Sequence, residues 1–284
     1  MSASVMAAVL WGFGGVFAVL VSSPSFVLSF YRLWAGAVLL TVILYVSGRR
    51  LSLSAFRGSW LAGLLLGGDL VMFYSAIKLT SVVDATVIGA LQPVIVILLA
   101  RPLFGEKLRR WDLAWVALAV VGVLIAVVGA GTKSHHQVSG DLFAIGALLC
   151  WSAYWLVSKR ARVEQGAMEY TACVTIVASL AVTPIVLLSS QSLGQVRAGD
   201  WFWIALLVIV PGGGHLLMNW AHRFVDASIS SVIACLSPLV AAIAARVILT
   251  QPLTLVQLGG VLLGLAAIAV ISVQHNEPVA PPLE

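Results

Sequence analysis

"VIGALQPVIVILLAR" (Val87 to Arg101) and "VIACLSPLVAAIAAR" (Val232 to Arg246) are one segment written twice, at a shift of 145 residues. Pro93 falls on Pro238 and Arg101 on Arg246. At a shift of 140, "VLWGFGG" (Val9 to Gly15) falls on "LCWSAYW" (Leu149 to Trp155), which pairs Trp11 with Trp151. Self-similarity over such distances marks an internal duplication. Both copies of the first segment are unbroken apolar runs, and crossing a bilayer as a helix takes about 20 such residues. Ten runs qualify: about 4–21, 26–46, 59–77, 83–101, 111–129, 141–158, 168–188, 201–221, 228–247 and 254–273. Each copy holds five, and an odd number makes the second copy enter from the opposite side. The expected fold is an all-α membrane protein, ten transmembrane helices in two inverted five-helix repeats. The repeats are residues 1–130 and 141–274, with an external linker at 131–140 and a cytoplasmic tail at 275–284.

Composition agrees. The chain is 61% hydrophobic and 10% charged, whereas soluble domains are nearer half apolar and a quarter charged. A strand barrel would alternate in segments of about ten residues, and these runs do not. The first run has no basic stretch before it, and Pro24 follows the small residues where a peptidase would cut, so it reads as a retained helix. Cys150, Cys173 and Cys235 are isolated in apolar runs, without metal or disulfide spacing; no cofactor is expected. The net charge of +5 sits in short connectors, which suits membrane orientation and not nucleic acid. With the N-terminus inside, cytoplasmic connectors carry eleven Lys and Arg against four outside, Arg32 aside. That bias places both termini in the cytoplasm, in a cell (inner) membrane. Trp60, Trp111, Trp115, Trp201 and Trp203 mark helix starts as interfacial anchors.

The loop charges report the inversion. "RPLFGEKLRR" after helix 4 has four basic residues, while its equivalent after helix 9, "RVILTQPLTL", keeps only Arg246. The uncharged "SSPS" after helix 1 becomes the basic stretch Lys159 to Glu164 after helix 6. Inverted repeats are characteristic of secondary transporters, with the site near the midplane between the repeats. The ten helices, the "LQP…FGEKL" segment and "WSAYWLVSKRAR" in helix 6 resemble the drug/metabolite transporter superfamily, specifically its bacterial EamA-like branch, which includes amino acid and metabolite exporters. The second repeat departs from that branch's Gly-Glu pair, having Thr250 and Gln251. The resemblance implies a central cavity lined mainly by helices 1, 3, 4, 6, 8 and 9, helices 5 and 10 at the periphery, and transport of small metabolites without ATP.

Candidate site residues are the polar and aromatic groups at mid-depth. "LGGDLVMFYSA" in helix 3 aligns with "PGGGHLLMNWA" in helix 8, so both halves carry a glycine pair next to an ionisable side chain, Asp69 or His215. Asp69 is the only carboxylate near the middle of any span; such residues usually face a cavity. It suits a substrate ammonium or a coupling proton. His215 suits a proton relay. His215, Asn219 and His222 lie on one stripe of helix 8, with His222 near the cytoplasmic end and expected to be solvated. Asn219 offers donor and acceptor to a ligand. On helix 6, Trp151, Tyr154 and Trp155 form an aromatic stripe where helix 1 has Trp11, Gly14 and Gly15; one repeat supplies bulk and the other room. Phe73 and Tyr74 on helix 3, and Gln92 before Pro93, join the substrate-binding candidates. Helix packing is the alternative for the aromatic stripe. Pro211 should break helix 8, and Pro93, Pro211 and Pro238 are candidate gating points, with a static kink as the alternative. Arg32 is expected to snorkel to the outer surface, with pairing to an anionic substrate group or a carboxylate as the alternative. The small-xxx-small spacings Gly63–Gly67 and Gly260–Gly264 indicate close helix contacts, and the latter makes a homodimer through helix 10 an alternative to a monomer.

The expected function is a secondary transporter, an exporter of small metabolites with amino acids foremost. The alternatives are an importer or exchanger of another metabolite or drug class, and well behind them an intramembrane enzyme or a channel. Asp69 has no mid-span carboxylate partner for aspartyl protease chemistry. The chain shows no Gly-x-Ser-x-Gly elbow and no phosphate loop. Partners reduce to a small-molecule substrate, the bilayer and a coupling proton.

Overall fold

The computed structural model describes residues 1–79, 88–106, 108–128, 138–250 and 254–274. The expected start of the fourth span with Asp84, Lys107, most of the linker with Lys133, Gln251 and the tail from His275 lie outside these residues. The helices are α1 (Ser2–Leu20), α2 (Ser25–Val46), α3 (Leu53–Leu79), α4 (Gln92–Phe104), α5 (Arg110–Val128), α6 (Val138–Ala161), α7 (Ala167–Leu188), α8 (Asp200–Ala221), α9 (Ala227–Ala234), α10 (Leu236–Ile248) and α11 (Leu255–Gln274). Taking α9 and α10 as one, eight spans are long and apolar enough to cross a membrane; α4 is a shorter apolar helix, and α5 runs 19 residues beside α11. With α4 and α5 these make the ten helical spans expected. Val38, Leu98, Leu142, Leu188 and Leu255 point outward, while Ser29, Asp69, Ser75, Ser158, His215 and Asn219 are buried. A bundle in lipid sorts its residues this way, because unsatisfied polar groups cannot face hydrocarbon.

The halves interleave. α1 packs on α8, α3 on α6, and α2 on α7. α5 and α11 pack on each other and reach the rest through α9 and α10, the peripheral pair implied by the resemblance. Their seam uses the glycines. A Cβ at Gly260 would strike the Ala126 backbone and lie 2.7 Å from the Gly122 carbonyl, and one at Gly122 would lie 2.7 Å from Gly264 Cα. Gly260–Gly264 is therefore used in a contact within one chain. Gly63 and Gly67 are likewise used against α7, at Val177 and Ala178.

The prolines divide. Span nine is interrupted at Cys235, three residues before Pro238, and Pro93 sits in the first turn of α4 just after the turn at Ala90–Leu91. First-turn positions suit proline, whose missing N–H would be unpaired there anyway. α8, by contrast, runs through Pro211 without interruption. The expected break in helix 8 is absent: helices in membranes tolerate an internal proline, and the Trp11 indole packs beside this one, donating to the Pro211 carbonyl at 3.1 Å.

The "FGE" turn explains itself in the fold. Gly105 ends α4 at φ +71°, a left-handed cap natural to glycine. The turn sends Glu106 to the start of α9, where its carboxylate accepts from the Ala227 and Ser228 amides at 2.7 and 2.9 Å. A carboxylate on exposed N-terminal amides satisfies donors the helix cannot. Thr250, the repeat partner of Gly105, has φ +55°; the turn is retained although the glycine is not.

Candidate functional site

The two repeat-equivalent tryptophans meet. Trp11 and Trp151 pack edge to face with centroids 5.1 Å apart. His215 lies against both, at 5.3 and 5.6 Å, and against Tyr154 at 6.2 Å. Tyr154 stacks on Trp151 at 5.3 Å. Gly214 makes this approach feasible: a Cβ there would sit 2.8 Å from Trp11 Nε1. Helices α1, α6 and α8 thus bring residues far apart in sequence into one aromatic cluster between the halves.

Asp69 follows a glycine pair that seats α3 on its neighbours. A Cβ at Gly67 would meet the Ala178 carbonyl at 3.1 Å, and one at Gly68 the Cys150 sulfur at 3.3 Å. Asp69 itself is 8% exposed. Among the described residues it has no hydrogen bond or ion pair, yet it interacts electrostatically with Arg32, Tyr74 and Tyr154. Arg32 does not snorkel. It is 7% exposed, and its Nη1 donates to the Tyr74 hydroxyl at 2.5 Å. Its Nη2 lies 3.5 Å from His215 Nε2. The physical reason is its face: α2 packs on α3, α7 and α8, and Arg32 points toward them instead of along the lipid surface.

The remaining candidates separate from this group. Asn219 is occupied internally: its Nδ2 donates to Tyr154 Oη at 3.0 Å and to Thr171 Oγ1 at 3.1 Å, and its main-chain carbonyl accepts from Arg162 Nε at 2.7 Å. Trp155 is fully buried, its indole donating to the Ala227 carbonyl at 3.2 Å, although its ring also reaches Trp11 and Trp151. Phe73 packs on Tyr74 at 5.9 Å. Gln92 is buried at the head of α4 with Nε2 unpartnered, and Pro93 is buried beside it. His222 is buried against Trp155, centroids 4.8 Å apart, with both nitrogens unpartnered; it is not solvated as expected, because Trp155 of α6 packs on its ring. Burial first, then the nearby cations Lys159 and Arg162, push its pKa down to about 3. Arg162 is held down to about 10 by burial and by Arg223.

Both ends of the bundle carry ties that sequence reasoning missed. At one end Asp200 accepts from the Ser22 amide at 2.9 Å and the Ser23 hydroxyl at 2.8 Å, and Lys78 donates to the Ser23 carbonyl. At the other, Glu169 accepts from the Ser52 hydroxyl at 2.7 Å, and Glu106 caps α9. The available signal was an acidic residue opening an apolar run, as Asp200 and Glu169 do. Among the described residues no three His, Cys, Asp or Glu side chains converge to hold a metal.

A multi-span bundle whose duplicated halves meet around a polar, aromatic-walled interior is the build of a membrane transporter. Residues 1–128 and 138–273 match the EamA-like transporter family, and the chain belongs to that family, a family of transporters and not of enzymes. It is similar to the threonine/homoserine exporter RhtA of Salmonella typhimurium (strain SL1344), 28% identical over 204 residues, covering 69% of this chain and 64% of the exporter. The chain thus matches a little under two thirds of that relative's length. It is also similar to an uncharacterized transporter of Archaeoglobus fulgidus, 26% identical over 275 residues, covering 95% and 94% of the two chains. A crystal structure of a protein 19% identical covers 98% of this chain and 99% of its own at a TM-score of 0.80, which establishes the fold.

Proposed function

We propose that the protein is a secondary exporter of small metabolites, amino acids foremost, working by alternating access around the interior where Trp11, Trp151 and His215 meet. The observation that carries this reading is the convergence of equivalent residues from both halves on one buried polar group, with Asp69 in the same interior. Transporters built from inverted repeats hold substrate at that interface. The named activity of the threonine/homoserine exporter supports amino acids as the cargo. Energy comes from a gradient, since the sequence holds no nucleotide-binding loop.

Asp69 takes the substrate ammonium or the coupling proton, and His215 relays. Trp11, Trp151 and Tyr154 wall the side-chain pocket, bordered by Phe73, Tyr74 and Gln92. Trp155 and Asn219 form its floor, tied to the start of α9 and to α7. The halves, 1–130 and 141–274, rock against each other. The interruption at Cys235 and the turn before Pro93 are the hinges, and α8, continuous through Pro211, moves as one piece. The Arg-rich connectors put both termini, including the tail after residue 274, in the cytoplasm.

Counterflow in proteoliposomes with a metabolite panel, under imposed pH gradients, tests this. Amino acids are expected to exchange, and Asp69→Asn to abolish uptake or its pH dependence. Uptake and pH dependence both intact in Asp69→Asn refute its role. A C-terminal reporter exposed outside the cell refutes the orientation.

A further inference from the structure

Arg32 stands seven residues into α2, near enough to its start for the side chain to reach water. It turns inward instead. There the guanidinium meets neutral groups only, the Tyr74 hydroxyl and the His215 ring. These engage two of its five N–H donors. Among the described residues no carboxylate lies within ion-pair distance of it, although Asp69 is within electrostatic reach. A guanidinium and a carboxyl side chain therefore share one interior without closing on each other. Buried charges are costly unless paired and hydrogen-bonded. What would complete both is a guest carrying the opposite charges a short distance apart.

We propose that Arg32 anchors the carboxylate of a zwitterionic substrate, an α-amino acid, whose ammonium group is received by Asp69. This rests on the transport reading above and narrows its substrate class. The guanidinium fork matches a carboxylate in a way a point cation does not. Tyr74 is the positioning residue: its hydroxyl holds one arm and its ring lies 5.6 Å from the guanidinium carbon. When Arg32 donates to His215 Nε2, the ring proton rests on Nδ1, which is buried and unpartnered, so His215 presents a further donor. Trp11, Trp151 and Tyr154, gathered around His215, receive the side chain of the amino acid.

The test is competition in proteoliposome counterflow, using L-threonine, L-leucine and L-phenylalanine, each with its decarboxylated amine and its 2-hydroxy acid. In wild type, an exchanged amino acid should outcompete both of its analogues at least tenfold. Arg32→Gln should raise the half-saturation for the amino acid at least tenfold while leaving the amine's competition unchanged, so that the preference for the carboxylate disappears. Arg32→Lys should restore part of it. Tyr74→Phe, a milder change, should raise half-saturation several-fold at unaltered maximal rate. Amines competing as well as amino acids in wild type overturn the proposal even if Arg32 variants do not fold. Arg32→Gln depressing all three compound classes in equal proportion also overturns it, by returning Arg32 to structure. In both cases the transport reading survives. Exchange of other metabolites but of no amino acid overturns the proposal and strikes amino acids from the transport reading.

Discussion

The seam between α5 and α11 makes a sharp prediction because it contains its own control. Gly259 and Gly260 are neighbours on α11. A Cβ at Gly259 meets nothing within 4 Å, whereas one at Gly260 lies 2.7 Å from the Gly122 carbonyl oxygen and 2.9 Å from Ala126 Cα. Ordinary carbon contacts begin near 3.5 Å, so Gly260→Ala must part the two helices by about 0.8 Å or bend one of them. The obstacles are backbone atoms, which have no alternative rotamer. Overpacking of this kind costs about 1–3 kcal/mol. Both substitutions gain the same helix propensity, about 1 kcal/mol in exposed helices, so their difference isolates the steric effect. Thermal unfolding of the detergent-solubilised protein should place Gly260→Ala below wild type and Gly259→Ala at or above it. Gly260→Ala as stable as Gly259→Ala would refute the close approach, and with it the pairing of these helices within one chain.

Three further outcomes are expected. Thr250 holds φ +55°, a conformation costing a β-branched residue about 1–2 kcal/mol; Thr250→Gly should raise the unfolding temperature, and a fall would show that the turn tolerates threonine. His222 is held neutral with its pKa near 3, against about 6.5 in the unfolded chain. The unfolded state therefore takes up a proton that the folded state refuses as pH falls below about 6.5, and stability should decline over that interval. His222→Phe should flatten that part of the pH profile, and an identical slope would exclude His222 as a source of it. Gly214→Ala should slow counterflow by pushing Trp11 off the Pro211 carbonyl, while Gly213→Ala, whose Cβ approaches only Leu10 at 3.9 Å, should leave the rate near wild type; equal rates would detach Trp11 from transport.

The spans and the duplication were legible because hydropathy and self-similarity are properties of the chain alone. So was the closeness of helix contacts at Gly260–Gly264, but not their partner: small-residue spacing says that a helix approaches something and is silent on whether it is α5 or another molecule. Arg32 was misjudged for a related reason. Depth along a helix follows from sequence position, whereas the face that turns inward depends on neighbours, here α3 and α8. Pro211 reads as a breaker, yet α8 runs through it and the interruption appears before Pro238; a proline fixes where a backbone bond is lost and not how far the helix departs from its path. Asp69, His215, Trp11 and Trp151 stand out in the sequence as expensive or bulky at mid-depth, and the structure turns Asp69 and His215 inward and brings the two tryptophans against His215. Glu106 and Asp200 were passed over because acidic residues at helix ends look merely solvated until the amides and hydroxyls they serve are seen.

The contact of Trp11 with Trp151 has a geometric corollary. The rings meet nearly at right angles, at 79°, one offering an edge where the other offers a face. No exact two-fold exchange of the halves can produce such a pair. Duplication supplied the same residue twice, and the seam employs the two copies unequally.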